Sequence, residues 1–84
     1  GATAASLCGR NAVQVTVSGA PGLDLATLER QLAPVAQRLQ RNEYLLRAEV
    51  EGCELTIFPD NRAIIKGTED VNVARSLYAH YVGG

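Results

Sequence analysis

Three period-two runs stand almost back to back between Glu43 and Gly67. In "EYLLRAEVEG", Tyr44, Leu46, Ala48 and Val50 fall on one side. In "CELTIFPD", Cys53, Leu55 and Ile57 do the same, and in "RAIIKG", Ala63 and Ile65. Alternation of this kind is the signature of a strand with one buried face. The breaks between the runs are Glu51-Gly52 and Pro59-Asp60-Asn61, both with turn chemistry. Links this short force antiparallel neighbours, so the middle of the chain reads as a three-stranded meander. Everything else must pack on that sheet.

Upstream, "NAVQVTVSG" sets Val13, Val15 and Val17 against Ala12, Gln14 and Thr16, a fourth half-buried strand that "GAPG" closes. The period then changes. Leu25, Leu28, Leu32, Val35 and Leu39 recur at three- and four-residue spacing, one helical stripe. Asp24 is placed to cap it. Pro34 removes a helical hydrogen bond and disfavours helical angles at Ala33. The helix is therefore expected over 24–33, with 34–41 either a further helical turn or the start of an extended run. A last helix begins near Thr68 or Asp70, buries Val71, Ala74, Leu77, Tyr78 and Tyr81, and ends at Gly83, where a left-handed residue belongs. The expected fold class is α+β in the order β-α-β-β-β-α. It has one four-stranded mixed sheet, both helices on one face, and a right-handed crossover between the first two strands. Residues 1–10 show no period and read as a flexible linker, with Gly1 compatible with a cleavage scar. Residues 11–84 read as a single small domain. There is no internal repeat.

An 84-residue chain buries only about 60–65 % of its unfolded surface, too little to enclose a catalytic cavity. The net charge of −1 lacks the basic excess of a nucleic-acid binder. No apolar run approaches the ~20 residues of a membrane span, and "GATAAS" lacks the pattern of a signal peptide. The two cysteines, Cys8 and Cys53, form no CxxC, so the chain builds no four-sulfur zinc site and no metal site is expected. A reducing, cytoplasmic setting fits them better than a disulfide.

"LCGRNAVQV", "RNEYLLR" and "ELTIFPDNRAIIKGTEDVNVARSLYAHYVG" together span most of residues 7–83. In this combination they resemble the C-terminal domain of bacterial ThiF/MoeB/HesA-type adenylyltransferases, the ubiquitin-activating-enzyme-like proteins of the UBA/ThiF class. The resemblance implies a parent enzyme with an N-terminal nucleotide-binding domain of Rossmann type. That domain would use ATP and magnesium to adenylate the C-terminal glycine of a ThiS- or MoaD-like sulfur carrier, for thiamine or molybdopterin synthesis. Zinc is left open for the parent. No glycine-rich nucleotide loop, arginine finger or paired CxxC stands in this chain, so the resemblance implies a non-catalytic accessory domain without a cofactor of its own. Its partners would be the parent catalytic domain, the carrier and a dimer mate.

Several residues are candidates for more than packing. Cys8 beside Arg10, whose charge favours a thiolate, is a candidate persulfide carrier by analogy with activating enzymes that form such a link. The alternative is a cysteine that packs at the strand start or ends the linker. Gly83-Gly84 matches the reactive tail of a sulfur carrier. However, carriers of that type have the order ββαββ and a free tail, and here a helix runs almost into the glycines, so a helix cap is the better reading. Cys53 reads as core. "KGTED" could hold an anion at a helix N-terminus, yet Glu69 and Asp70 already place negative charge there. His80 reads as a surface residue near a helix end. By parity, Leu45, Arg47, Glu49, Glu54, Phe58, Arg62, Ile64 and Lys66 share the sheet face away from the helices. Exposed apolar residues among charges mark a docking surface, so this face is the expected contact for the catalytic domain, a dimer mate or the carrier.

Overall fold

The computed structural model describes residues 2–7 and 9–83. The elements run β1 (Ala2–Leu7), β2 (Ala12–Val17), α1 (Leu25–Leu32), β3 (Arg38–Arg41), β4 (Leu46–Val50), β5 (Cys53–Phe58), β6 (Arg62–Lys66) and α2 (Val71–Tyr81). The strands form one six-stranded sheet in the order β1-β2-β6-β5-β4-β3, and every neighbouring pair is antiparallel.

This overturns the expected four-stranded mixed sheet. One added strand, β1, lies within the residues read as a linker. "ATAASL" carries no large apolar alternation, so nothing in it announces a strand. The partner supplies what the sequence lacks, since all six residues of β1 pair with β2, from Ala2 opposite Val17 to Leu7 opposite Ala12. The other added strand, β3, comes from the ambiguous stretch 34–41, which takes the extended alternative. Ala33 keeps helical angles (φ −52°, ψ −42°) and donates to Glu29 O at 2.9 Å, against the expectation that Pro34 would push it away. The helix ends at Leu32 with Ala33 as its C-cap, since Pro34 has no N–H to continue the ladder. Val35 leaves the helical stripe and is 54 % exposed, while Leu39 packs half-buried against the core from β3. The crossover through α1 does not join neighbours either. Strands four places apart in an antiparallel sheet run the same way, so β2 and β3 are co-directional but sit four strands apart.

The meander forms because its alternation is clean. Cys53, Leu55 and Ile57 of β5, Leu46, Ala48 and Val50 of β4, and Ala63 and Ile65 of β6 are all buried. With Val13 and Val15 they form one cluster with Leu25, Leu28 and Leu32 of α1 and Ala74, Leu77 and Tyr78 of α2. Each buried Leu, Ile or Val contributes ~1.5–3 kcal/mol against exposure. Tyr44 departs from its expected inward place. At 69 % exposure it sits in a turn whose backbone is held by Asn42, the Oδ1 of which accepts from Tyr44 N (2.7 Å) and Leu45 N (2.9 Å).

Two turns tie the elements together. Glu51 (φ 50°) and Gly52 (φ 79°) link β4 to β5 with the paired positive φ of a two-residue hairpin turn. Asn61 (φ 63°), in the β5–β6 turn, is buried at 6 % exposure. Its Nδ2 donates to Ala20 O (3.2 Å) and Pro21 O (2.6 Å). Leu23 N also donates to Pro59 O at 2.8 Å. The "GAPG" loop is thus fastened to a turn 40 residues away in sequence.

Candidate functional site

Both helices contribute to the same core cluster, so the residues of alternate parity face away from it. The registers align those residues in rows across the sheet. One row runs Leu7, Ala12, Lys66, Glu54, Glu49, Arg38 from β1 to β3, and the next runs Ala5, Gln14, Ile64, Thr56, Arg47, Gln40. A third sets Thr3, Thr16, Arg62 and Phe58 side by side. Arg47, Phe58, Arg62, Ile64 and Lys66 therefore share one face, and Leu45 adjoins it from the start of β4.

The charges on this face are largely matched to one another. Arg38 Nε lies 3.9 Å from Glu49 Oε2, Arg47 Nε 3.6 Å from Glu54 Oε1, and Arg62 Nε 3.6 Å from Asp60 Oδ2. The Arg62 guanidinium also covers the Phe58 ring, 4.3 Å from its centroid. These pairs are open to solvent, where each contributes only ~0.2–1 kcal/mol. Their effect is to present alternating charge in a fixed pattern. Phe58, Ile64 and Leu45 are half-buried rather than exposed, and over Phe58 it is the Arg62 side chain that supplies the cover. Among the described residues the exposed large apolar side chains are Val35, Tyr44 and Val73, none of which belongs to these rows.

The face is shallowly hollowed in three places. A depression of about 410 Å³ lies among Arg38, Gln40, Arg47, Glu49 and Glu54. One of about 480 Å³ adjoins it, lined by Gln40, Arg41, Asn42, Leu45 and Arg47. The third, about 420 Å³, is lined by Leu7, Arg10, Ala12, Ile64 and Lys66. Ala12 is only 4 % exposed although it lies on the open side, since these neighbours surround it. Arg38, Gln40, Leu7 and Ala12 were not foreseen as part of the face. "RLQR" does alternate, with Leu39 inward, but four residues after a helical stripe are too few to declare a period. Leu7 and Ala12 needed β1 to be known.

The other candidates separate. Cys8 and Gly84 lie outside the described residues, and Arg10 is exposed near Lys66. Gly83 takes φ 102° and donates to Tyr78 O at 3.0 Å, so it closes α2. Cys53 is buried in the core. In "KGTED", Gly67 (φ 111°) donates to Asn11 O at 2.8 Å. Asp70 Oδ1 then accepts from Asn72 N (2.8 Å) and Val73 N (3.4 Å). The free amides at that helix end are taken by the cap, leaving a capped turn and no anion site. His80 is exposed and stacks edge-on against Tyr81 at 4.6 Å. Tyr81 in turn donates to Glu51 Oε2 at 2.5 Å, and that carboxylate holds the phenol above its ordinary pKa. Among the described residues no group of three or more His, Cys, Asp or Glu could hold a metal ion. No helix is long and apolar enough to cross a membrane.

Fold and face define a small α+β domain with one side of its sheet left without helices. Over 80 residues, 95 % of this chain, it is 38 % identical to the sulfur carrier protein ThiS adenylyltransferase of Bacillus subtilis (strain 168). The chain is thus similar to part of a ThiF-type adenylyltransferase, a stretch consistent with a C-terminal domain of such an enzyme. It spans 24 % of that relative's length. No family model matches the chain, and no solved structure matches it.

Proposed function

We propose that the chain is a non-catalytic accessory domain of a ThiF/MoeB-like adenylyltransferase that activates a sulfur carrier. Its role is protein–protein interaction through the open sheet face. There it positions the carrier or sulfur donor against the parent catalytic domain. The single observation that carries this reading is the 38 % identity to a ThiS adenylyltransferase across 95 % of the chain. The relative's carrier, ThiS, favours the thiamine branch over the molybdopterin branch. The ordered ladder of Arg38, Glu49, Glu54 and Arg47 supports a surface for orientation, since charge patterning across an interface fixes register more than it adds affinity. No observation in the described residues favours the alternatives of a persulfide on Cys8 or a carrier tail at Gly83-Gly84.

The test is a titration of the isotopically labelled chain with a ThiS-like carrier and, separately, with the parent catalytic domain. Amide shifts confined to residues 45–49, 54–58 and 62–66 with one of them establish the docking face and name its partner. Unmoved spectra with both defeat the reading.

A further inference from the structure

The charges of the open face are matched except at one end. Arg38, Arg47 and Arg62 each pair with a carboxylate. Among the described residues neither Arg10 nor Lys66 belongs to an ion pair. Glu54 stands opposite Lys66 across the β5–β6 ladder, but its Oε1 is engaged by Arg47 at 3.6 Å. A chain of net charge −1 thus gathers two uncompensated cations in one place.

That place is the hollow of about 420 Å³ lined by Leu7, Arg10, Ala12, Ile64 and Lys66. Arg10 and Lys66 are exposed and form its rim, while half-buried Leu7 and Ile64 and buried Ala12 form its floor. The ladders assemble it, setting Leu7 opposite Ala12 and Ala12 opposite Lys66. The β1–β2 turn adds Arg10, whose N–H donates to Leu7 O at 3.0 Å.

A cationic rim over an apolar floor suits a carboxylate that stands beside an aliphatic group. Chain termini and phosphates are captured by free backbone amides arranged as a nest. Here the amides of Arg10 and Gly67 are already spent on Leu7 O and Asn11 O. The hollow is also too shallow to enclose a small molecule, which a pocket buries over most of its surface. Side chains on the surface of another protein fit it better.

We propose that this hollow is the contact point for an acidic segment of a partner protein. An Asp or Glu side chain lies between Arg10 and Lys66, and an aliphatic neighbour lies against Leu7 and Ile64. This rests on the reading of the open face as a docking surface. It adds where on that face contact is made and what the partner brings there. Complementary charge at such a point orients the partner and speeds its encounter.

Calorimetric titration with the ThiS-like carrier and with the parent catalytic domain tests it, with amide shifts recorded in parallel. With the partner that binds, shifts should include Leu7, Arg10 and Ala12, and Kd should rise as salt is added. Arg10→Glu combined with Lys66→Gln should raise Kd about tenfold. Glutamine at position 66 avoids setting a second carboxylate opposite Glu54. Arg75→Gln removes a charge from an exposed position on α2, away from the face, and should leave Kd within about twofold. If the double variant loses the β2 amide pattern, Arg10→Gln, in an exposed turn, carries the test alone. Binding that shifts 45–49 and 54–58 but leaves Leu7, Arg10 and Ala12 unmoved overturns the inference and spares the docking face. So does a Kd that the folded variants do not change. Unmoved spectra with both partners defeat the two together.

Discussion

The side-chain amide of Asn61 donates to the carbonyls of Ala20 and Pro21 while its own backbone holds φ 63°. Asn61→Ala loses both bonds, each worth ~1 kcal/mol, and puts at φ 63° a residue that tolerates left-handed angles less well than asparagine does. Urea unfolding should show a loss of about 2 kcal/mol or slightly more, with Asn61→Gly losing less because glycine carries no Cβ penalty there. Tyr78 behaves in the opposite sense. It is 2 % exposed, and its hydroxyl has no hydrogen-bond partner among the described residues. A buried unpaired polar group is a liability, so Tyr78→Phe should be neutral or stabilise by up to about 1 kcal/mol in the same measurement. Burial raises the Tyr78 phenol, with Asp60 adding to it, and Glu51 raises Tyr81. For an acid whose folded pKa lies above its unfolded value, the neutral form is favoured by folding. Neither phenol therefore costs folding stability by ionising below about pH 10, the ordinary Tyr value, and stability falls as pH rises from there through the folded values. Thermal melts across that range should fall more steeply than in Tyr81→Phe. At this scale the sequence was readable where a residue acts on near neighbours, as Asp24 and Gly83 do. It was silent where the partner is remote, as with Asn61 and the loop at Ala20.

Among the elements, α1 and the meander were legible because each carries its own period and its own stop. Asp24 caps α1 through Ala26 N (3.1 Å) and Thr27 Oγ1 (2.9 Å). The Thr27 side-chain hydroxyl, then the backbone amides of Thr27 and Ala26, hold its carboxyl below the ordinary value. Asp24→Ala should destabilise the chain by removing the cap, seen as a lower melting temperature at neutral pH. For a carboxylate whose folded pKa is depressed, the stabilisation is present above the unfolded pKa and lost as pH falls through the folded one. Variant and parent should therefore converge in acid. The edge strands were the illegible elements, and for one reason. A strand at the sheet margin has one neighbour, so its sequence need not carry a full apolar face. β1 is made of small residues that β2 orders by pairing. β3 offers a single inward apolar residue, Leu39, directly after a stripe of helical period. The open-face residues of the meander were placed by parity alone, which succeeds because strand period is strict. Parity does not give coverage, and Phe58 lies beneath Arg62 where exposure was expected.

For the whole molecule, stability and recognition are divided between the two sides of one sheet. The inner side holds the apolar cluster, and the open side holds solvent-exposed ion pairs. Arg47→Glu with Arg62→Glu should therefore change unfolding free energy by no more than about 1 kcal/mol. The same pair of changes should abolish the amide shifts caused by a docked partner, and the two readouts from one variant separate support from contact. The order of strands also governs how the chain reaches this state. The hairpin β1–β2 and the meander β3–β6 each close from sequence neighbours, and only the β2–β6 ladder joins the two units, pairing Val13 with Ile65 and Val15 with Ala63. That distant closure must be met before its contacts repay the lost chain entropy. Val15→Ala is accordingly expected to slow refolding in stopped-flow measurements, while Leu25→Ala mainly hastens unfolding. During synthesis the hairpin emerges early and waits, its inner valines uncovered, until Arg62–Lys66 has been made and can close over the gap.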